Sequence, residues 1–244
     1  LVHRPYIDFE QAINTYRVQG KMFLEAYDVT TSADFGLEYE TLLGEPLDKE
    51  AQKRSSSNSP GRFGSFAIGI FNGGGYHTFE YNHNKLVEGR LTIRPLPDAL
   101  TGLQLTYHFS FGKGNIPTAP KCQSSNFMLS YESPFLNLTG EYYKGVGDYQ
   151  GKFMVDGAPT DNEGYSAFAE IKWRGGKFTN FGRYESFQRN STTITFDGSH
   201  YLFGVGYYLT DKTKIVLDYD YNKTVKNTVI ATTSFTEIAV ELKF

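Results

Sequence analysis

The sequence predicts an all-β protein, specifically a transmembrane antiparallel β-barrel, and three observations lead to this fold class. Apolar and polar residues alternate with a period of two along most of the chain, whereas helical spacing hardly appears. The apolar positions are unusually aromatic, since the 244 residues include 20 Phe and 18 Tyr. The connections between alternating segments are by turns short and long, as in barrels with short periplasmic turns and long external loops.

The composition excludes several classes of protein. The 24 Lys and Arg nearly balance the 27 Asp and Glu, and a net charge of -3 gives no electrostatic footprint for nucleic acid. The aromatic content argues against a disordered chain. The single cysteine, Cys122, cannot form an internal disulfide or a thiolate zinc site. No apolar run reaches the roughly 18 residues of a membrane-spanning helix.

Eleven strands are predicted from the alternation. In chain order they lie near residues 33–43, 63–71, 87–93, 103–111, 125–132, 136–144, 165–173, 178–188, 201–209, 215–221 and 237–244. The predicted short connections are 95–101, 133–135, 174–176 and 210–212, and the long ones are 72–84, 112–124, 145–164, 189–199 and 222–232. The long polar stretch Gly44–Pro60 is predicted to be either a mobile loop or a wrongly assigned strand boundary.

The sheet is expected to close into a barrel. A soluble β-sandwich also alternates, but its apolar face packs on a second sheet, and so aromatic an apolar face favours contact with lipid. Hydrocarbon excludes open sheet edges because unpaired backbone groups are costly there. A barrel with both ends in the periplasm needs an even number of strands. We therefore expect about 12 strands in one domain over residues 1–244, with the twelfth near Thr15–Glu25, or else earlier strands that precede this chain.

Short motifs along the chain resemble one protein family. They are Pro5–Glu10 followed by Tyr16-Arg17 and Gly20-Lys21, then Ser32–Gly36, Gly69–Gly74, Gly89–Pro97 and Phe181–Tyr184. This series is similar to successive strands of the phosphate-selective porin O and P family. The resemblance implies that the chain is the C-terminal portion of a bacterial outer-membrane porin of about 16 to 18 strands. It also implies a homotrimer, for which no single patch in the sequence marks the contact.

The C-terminal strand resembles the assembly signal of outer-membrane proteins of Gram-negative bacteria. Val240, Leu242 and Phe244 occupy alternate positions and the chain ends on the aromatic residue. This resemblance implies the same outer-membrane location.

The polar face of the predicted strands supplies the candidate pore-lining residues. They are Glu88, Arg90, Arg94, His108, Glu170, Lys172, Arg183, Glu185, Asp218 and Asp220. On the whole inward face acids outnumber bases, which argues against the converging Arg and Lys that phosphate requires. These charges form either a solvated wall or a constriction that filters solutes.

Residues 1–30 are expected to lie outside the barrel or to fold into it. The resemblance implies a restricting segment, and its candidate constriction residues are Asp8, Glu10, Arg17 and Lys21.

The predicted function is passive diffusion of small hydrophilic solutes or ions through a water-filled barrel in outer-membrane lipid, with no enzymatic activity, no cofactor and no metal. Two alternatives remain open. His108 and Ser110 have the spacing of outer-membrane phospholipases, although alternation turns both inward and Phe111 replaces the expected Asn. The second alternative is a structural barrel that encloses a protein partner such as a cytochrome.

Overall fold

The computed structural model describes residues 1–55, 60–173, 176–191, 195–210 and 212–242. Within these ranges the chain forms three short helices and 15 strands. The helices are α1 (Pro5–Ile13), α2 (Phe23–Ala26) and α3 (Lys49–Ser55). The strands are β1 (Val2–His3), β2 (Ala33–Asp34), β3 (Gly36–Leu43), β4 (Gly64–Phe71), β5 (Leu86–Ile93), β6 (Leu103–Lys113), β7 (Lys121–Glu132), β8 (Leu136–Val146), β9 (Met154–Val155), β10 (Ala158–Pro159), β11 (Asp161–Lys172), β12 (Phe178–Asn190), β13 (Thr195–Thr210), β14 (Thr213–Lys226) and β15 (Val229–Leu242).

One antiparallel sheet of 11 strands dominates the described part of the chain. Its order is β15-β14-β13-β12-β11-β8-β7-β6-β5-β4-β3, so each strand pairs with the next one along the chain apart from the small hairpin β9-β10 inserted between β8 and β11. A second small pair joins β1 to β2. Among the described residues no pairing joins β3 to β15, so the sheet is not closed.

The two faces of the sheet differ as the alternation predicts. On β7, Phe127 and Leu129 are exposed, whereas Asn126 and Ser130 on the opposite face are buried. The same inversion, polar side chains covered and apolar ones exposed, recurs along β5, β6 and β8, whereas β11 and β12 also carry the buried rings of Phe168, Phe181 and Phe187. We call the covered polar face the inner face and the apolar one the outer face. No helix in the described ranges has the length and apolarity needed to cross a membrane.

Residues 1–34, here called the N-terminal segment, cover the inner face. Helix α1 starts with Pro5 at its first position, where the missing backbone N–H costs nothing. Tyr6, Phe9, Glu10 and Ile13 follow with the spacing of one helical face, and that face is buried. The segment contacts strands from β5 to β14. Since one short segment reaches across so many strands, the sheet must curve around it.

The prediction of an all-β antiparallel sheet is confirmed, and all 11 predicted strands are present in it.

The prediction of a twelfth strand near Thr15–Glu25 is wrong. Consecutive side chains Met22, Phe23 and Leu24 are all buried in one cluster with α1, which a half-buried strand with its period of two does not allow. This stretch instead contains a turn and helix α2.

Several predicted connections also differ. The predicted loop 222–232 is mostly strand, because β14 and β15 pair up to Lys226 and Val229 and leave a two-residue turn at 227–228. Asn227 has a φ of 54°, the left-handed conformation that such tight hairpin turns need. Gly44–Pro60 includes helix α3, and Pro46 forms a β-bridge with Gly61 that closes this excursion.

Candidate functional site

The first contact between the N-terminal segment and the inner face is made by Arg4. Its guanidinium donates to Glu88 Oε1 at 2.8 Å, to Asp34 Oδ2 at 3.1 Å and to Thr30 Oγ1 at 3.2 Å. The side chains of Arg4, Asp34 and Glu88 are all fully buried. One cation therefore ties β5 to both ends of the segment, and its charge is balanced by two carboxylates.

Arg90 provides the second contact from the same strand. Its Nε donates to the backbone oxygen of Pro5 at 3.0 Å, and its Nη1 donates to Ser65 Oγ at 2.8 Å. The guanidinium also pairs with Glu40 and lies 4.5 Å from the centre of the Phe9 ring. Helix α1 is thus held by its first turn and by an aromatic side chain on its buried face.

At the middle of the sheet, a polar contact joins α1 to β7 and β8. The hydroxyl of Tyr6 donates to Glu141, and Asn126 Nδ2 donates to the same carboxylate oxygen at 3.2 Å. Glu10, one turn further along the helix, is also buried here, and its Oε1 accepts the backbone N–H of Phe23 at 3.4 Å. Burial and the neighbouring Glu141 carboxyl raise the pKa of Glu10 well above its usual value, while the Arg183 guanidinium opposes that rise.

Tyr16 anchors the segment on the far side of the sheet. Its ring stacks on Phe181 with centroids 3.7 Å apart, and its hydroxyl donates to Glu170 Oε1 at 3.1 Å and shares a hydrogen bond with Thr179. Lys214 Nζ lies 4.1 Å from the centre of the same ring. Tyr16 is fully buried, so this part of the inner face is also covered.

A charged network runs across β12, β13 and β14 beside these contacts. His200 lies between two carboxylates, with Nδ1 2.9 Å from Glu185 Oε2 and Nε2 2.7 Å from Asp220 Oδ2. Arg183 Nε lies 3.0 Å from Glu185 Oε1, and Arg183 Nη1 donates to the backbone oxygen of Gly20 at 3.3 Å. Arg183 is therefore engaged both by a carboxylate and by the N-terminal segment.

All ten predicted pore-lining residues lie on the inner face. Nine of them are buried in this structure: Glu88, Arg90, Arg94, His108, Glu170, Arg183, Glu185, Asp218 and Asp220. Lys172 is partly exposed, with Nζ 3.7 Å from Glu170 Oε2. Much of the predicted wall is covered by the N-terminal segment, which explains why charged side chains are buried.

The four predicted constriction residues take different positions. Glu10 faces the wall, and Arg17 forms a two-point ion pair with Glu25 inside the segment. Asp8 is exposed and accepts a hydrogen bond from Gln11, and Lys21 is exposed. The residues of the predicted assembly signal, Val240 and Leu242, are exposed on β15, and Phe244 lies outside the described residues.

A cavity of about 240 Å³ remains between α1 and the strands at the β3 side of the sheet. Among the side chains that line it are Asp8, Glu38, Glu40, Arg90 and Glu132. Four of these five are carboxylates and the other six lining residues are apolar, so the cavity is partly apolar and its charged lining is mainly acidic.

The predicted pair of His108 and Ser110 is not arranged as a base and a nucleophile. Ser110 Oγ shares a hydrogen bond of 2.6 Å with Ser124 Oγ, whereas the His108 ring stacks on Tyr6 with centroids 4.9 Å apart. Both residues are buried on the inner face, away from the apolar outer surface.

Arg4 and Tyr16 were not identified as site residues from the sequence. The helical spacing of Tyr6, Phe9, Glu10 and Ile13 could have indicated that α1 has one buried face, but nothing local identifies its partners. In the described ranges, no group of three or more His, Cys, Asp and Glu side chains is placed to hold a metal ion.

The chain matches no known protein-family model and no curated protein. Among solved structures it is similar to a porin refined at 1.8 Å resolution, with a TM-score of 0.58 and 16% identity over 90% of this chain and 64% of the porin. It also matches the outer-membrane expressed OmpT of Vibrio cholerae, with a TM-score of 0.45 and 12% identity over 86% of this chain and 78% of that one. The chain spans less than two thirds of the porin's length, and the part that it spans has a porin-like β-sheet fold.

Proposed function

We propose that this chain forms part of an outer-membrane porin, through which small hydrophilic solutes or ions diffuse passively and which has no enzymatic activity. The observation that carries the proposal is the inverted sheet, with its charged face turned inward and its apolar face exposed. A water-filled lumen requires the first face and lipid the second. The N-terminal segment is proposed to narrow that lumen.

The outer face supports contact with lipid. Large apolar side chains such as Leu105, Phe127 and Phe203 are about half exposed and lie on the outer face of the same sheet, on β6, β7 and β13. In water so extended an apolar surface would promote association or aggregation. In a bilayer the same surface contacts the hydrocarbon chains of lipid, so no second layer of protein is needed to cover it.

The open edges of the sheet support a barrel larger than the 11 strands described. Strands β3 and β15 each have one unpaired edge in the described structure, and unpaired backbone groups are not tolerated in hydrocarbon. The similar porin is longer than this chain. The sequence resemblance to the phosphate-selective porin O and P family leads to the same proposal of about 16 to 18 strands.

The ion pairs of the inner face argue against phosphate as the preferred solute. Arg4, Arg90 and Arg183 each lie beside at least one carboxylate. Lys214 lies 3.1 Å from Glu241, so this cation too is balanced. An oxyanion binds where cations converge and remain available to it. We therefore propose a polar passage without phosphate preference.

The two alternative functions have less support. A barrel that sheathes another protein needs a free interior, whereas here the chain's own segment occupies the inner face. A phospholipase needs its histidine within reach of its serine, whereas Ser110 pairs with Ser124.

The decisive experiment is single-channel recording from the intact protein in planar bilayers under a potassium chloride gradient. We expect discrete conductance steps and a reversal potential without anion preference. A strong anion preference would overturn the proposed role of the inner-face charges. Protein that is shown to be folded and inserted but gives no steps would overturn the porin proposal itself.

A further inference from the structure

Two buried carboxyl groups meet where the N-terminal segment contacts the wall. Glu10 projects from α1 and Glu141 from β8, and each residue is at most 5% exposed. Glu10 follows Tyr6 by one helical turn on the buried face of α1, and Tyr6 donates to Glu141, so both carboxyl groups lie in the same buried contact between α1 and the wall. Two ionised carboxylates in one buried contact repel each other, and burial removes the water that would weaken the repulsion.

The hydrogen bonds of the two groups leave one oxygen on each without a donor. Glu141 Oε2 accepts from Tyr6 and Asn126, and Glu10 Oε1 accepts from Phe23. Glu141 Oε1 and Glu10 Oε2 are buried and have no hydrogen-bond partner among the described residues. A buried oxygen that lacks a donor is costly, and a single proton held between these two atoms would satisfy both.

The charged groups around the pair do not replace this proton. Arg183 and Glu185 on β12 face Glu10, but they form an ion pair with each other. Behind Glu185 stand His200 on β13 and Asp220 on β14, again paired through short contacts. From α1 and β7 the pair meets Tyr6 and Asn126, which are uncharged donors at neutral pH.

We propose that Glu10 and Glu141 form a proton-binding site, in which one shared proton joins Oε2 of Glu10 to Oε1 of Glu141 and couples docking of the N-terminal segment to pH. The docked state binds this proton more tightly than the undocked state, in which each carboxyl meets water. Docking is therefore strongest at acid pH. It weakens as the pH rises from the usual pKa of a glutamate toward the higher value in the docked state.

Hydrogen exchange at the backbone amides of residues 5–14 tests the proposal in the intact protein, in detergent or lipid. One linked proton makes the undocking equilibrium constant rise by up to about tenfold per pH unit within that range. Comparing variants with wild type at the same pH cancels the intrinsic pH dependence of exchange. The readout reports docking whether or not the barrel conducts, so its failure is distinct from failure of the proposed porin function.

Two kinds of variant complete the test, namely substitutions in the pair itself and a control elsewhere in the segment. In Glu10→Gln or Glu141→Gln the new amide N–H can donate where the proton was, so protection should match wild type at acid pH and exceed it at alkaline pH. Asp28→Asn removes an exposed carboxylate from the same segment and should keep the wild-type slope.

Two outcomes would overturn the shared proton. One is a Glu10→Gln curve that runs parallel to wild type at every pH, since the slope would then come from another group. The other is loss of protection at acid pH in both Gln variants, because in that range the wild-type pair carries the proton that the amide should replace.

Discussion

The guanidinium of Arg4 donates to Glu88 Oε1 at 2.8 Å across 84 residues of sequence, and both side chains are buried. Asp34 completes the set at 3.1 Å from the other guanidinium nitrogen. The start and the end of the N-terminal segment are thereby attached to one point on β5. Since this ion cluster is shielded from water, its partners depend on one another far more than those of an exposed pair.

Arg4→Met should loosen the N-terminal segment, because it leaves two buried carboxylates without their cation. Removing one partner of a buried ion pair costs roughly 3–5 kcal/mol. The measurement is protease sensitivity of residues 1–34 in the folded protein, together with urea unfolding. Arg62→Met is the control, since Arg62 and its partner Asp98 are both more than one third exposed and such a pair contributes about 0–1 kcal/mol. Equal effects of the two substitutions would contradict the role assigned to Arg4.

Tyr16→Ala should widen the proposed passage, because the ring stacked on Phe181 holds the segment to β12. Truncating a buried aromatic side chain to Ala costs roughly 3–5 kcal/mol. We expect larger or noisier single-channel conductance than in wild type. Tyr16→Phe keeps the stacked ring and loses only the hydroxyl contacts to Glu170 and Thr179, so its conductance should stay close to wild type. If Tyr16→Ala conducts like wild type, this part of the segment does not limit the passage.

The sheet could be predicted from sequence because the two faces of each strand meet different surroundings. On β7 the alternation of Phe127 and Leu129 with Asn126 and Ser130 is complete, and the strand was predicted there. The ends of strands are not predicted where apolar and polar residues do not alternate. Lys223 and Thr232 are paired and both exposed, so no alternation of buried and exposed residues marks this part of the β14-β15 hairpin.

The docking of the N-terminal segment could not be predicted in the same way. Its contacts join residues far apart in sequence, such as Tyr6 with Glu141 and Tyr16 with Glu170. The spacing of apolar residues within a short stretch of sequence identifies a helix or a strand. It does not identify the distant side chains that the helix or strand contacts. The inward orientation of Glu10 was expected only from a family resemblance, and its partner depends on the curvature of the whole sheet.

Ser110→Ala should leave lipid hydrolysis unchanged, because the protein should have none. The Ser110 hydroxyl lies on the inner face and shares its hydrogen bond with Ser124. The assay is release of fatty acid from phospholipid vesicles by the wild-type protein and the variant. Hydrolysis by wild type that disappears in Ser110→Ala would establish the phospholipase alternative and overturn the proposal of a non-enzymatic porin.

Phe127→Arg should impair insertion into lipid. Phe127 lies near the middle of β7, on the outer face, and is 57% exposed. An arginine on the lipid face of a barrel costs about 2–4 kcal/mol at the bilayer midplane and much less near the interfaces. Urea titration of folding into lipid vesicles measures this cost. Phe79→Arg is the control, since Phe79 is 86% exposed in the connection between β4 and β5, outside the sheet, and should change stability little. Equal stability of the two variants would mean that the outer face of β7 does not meet hydrocarbon.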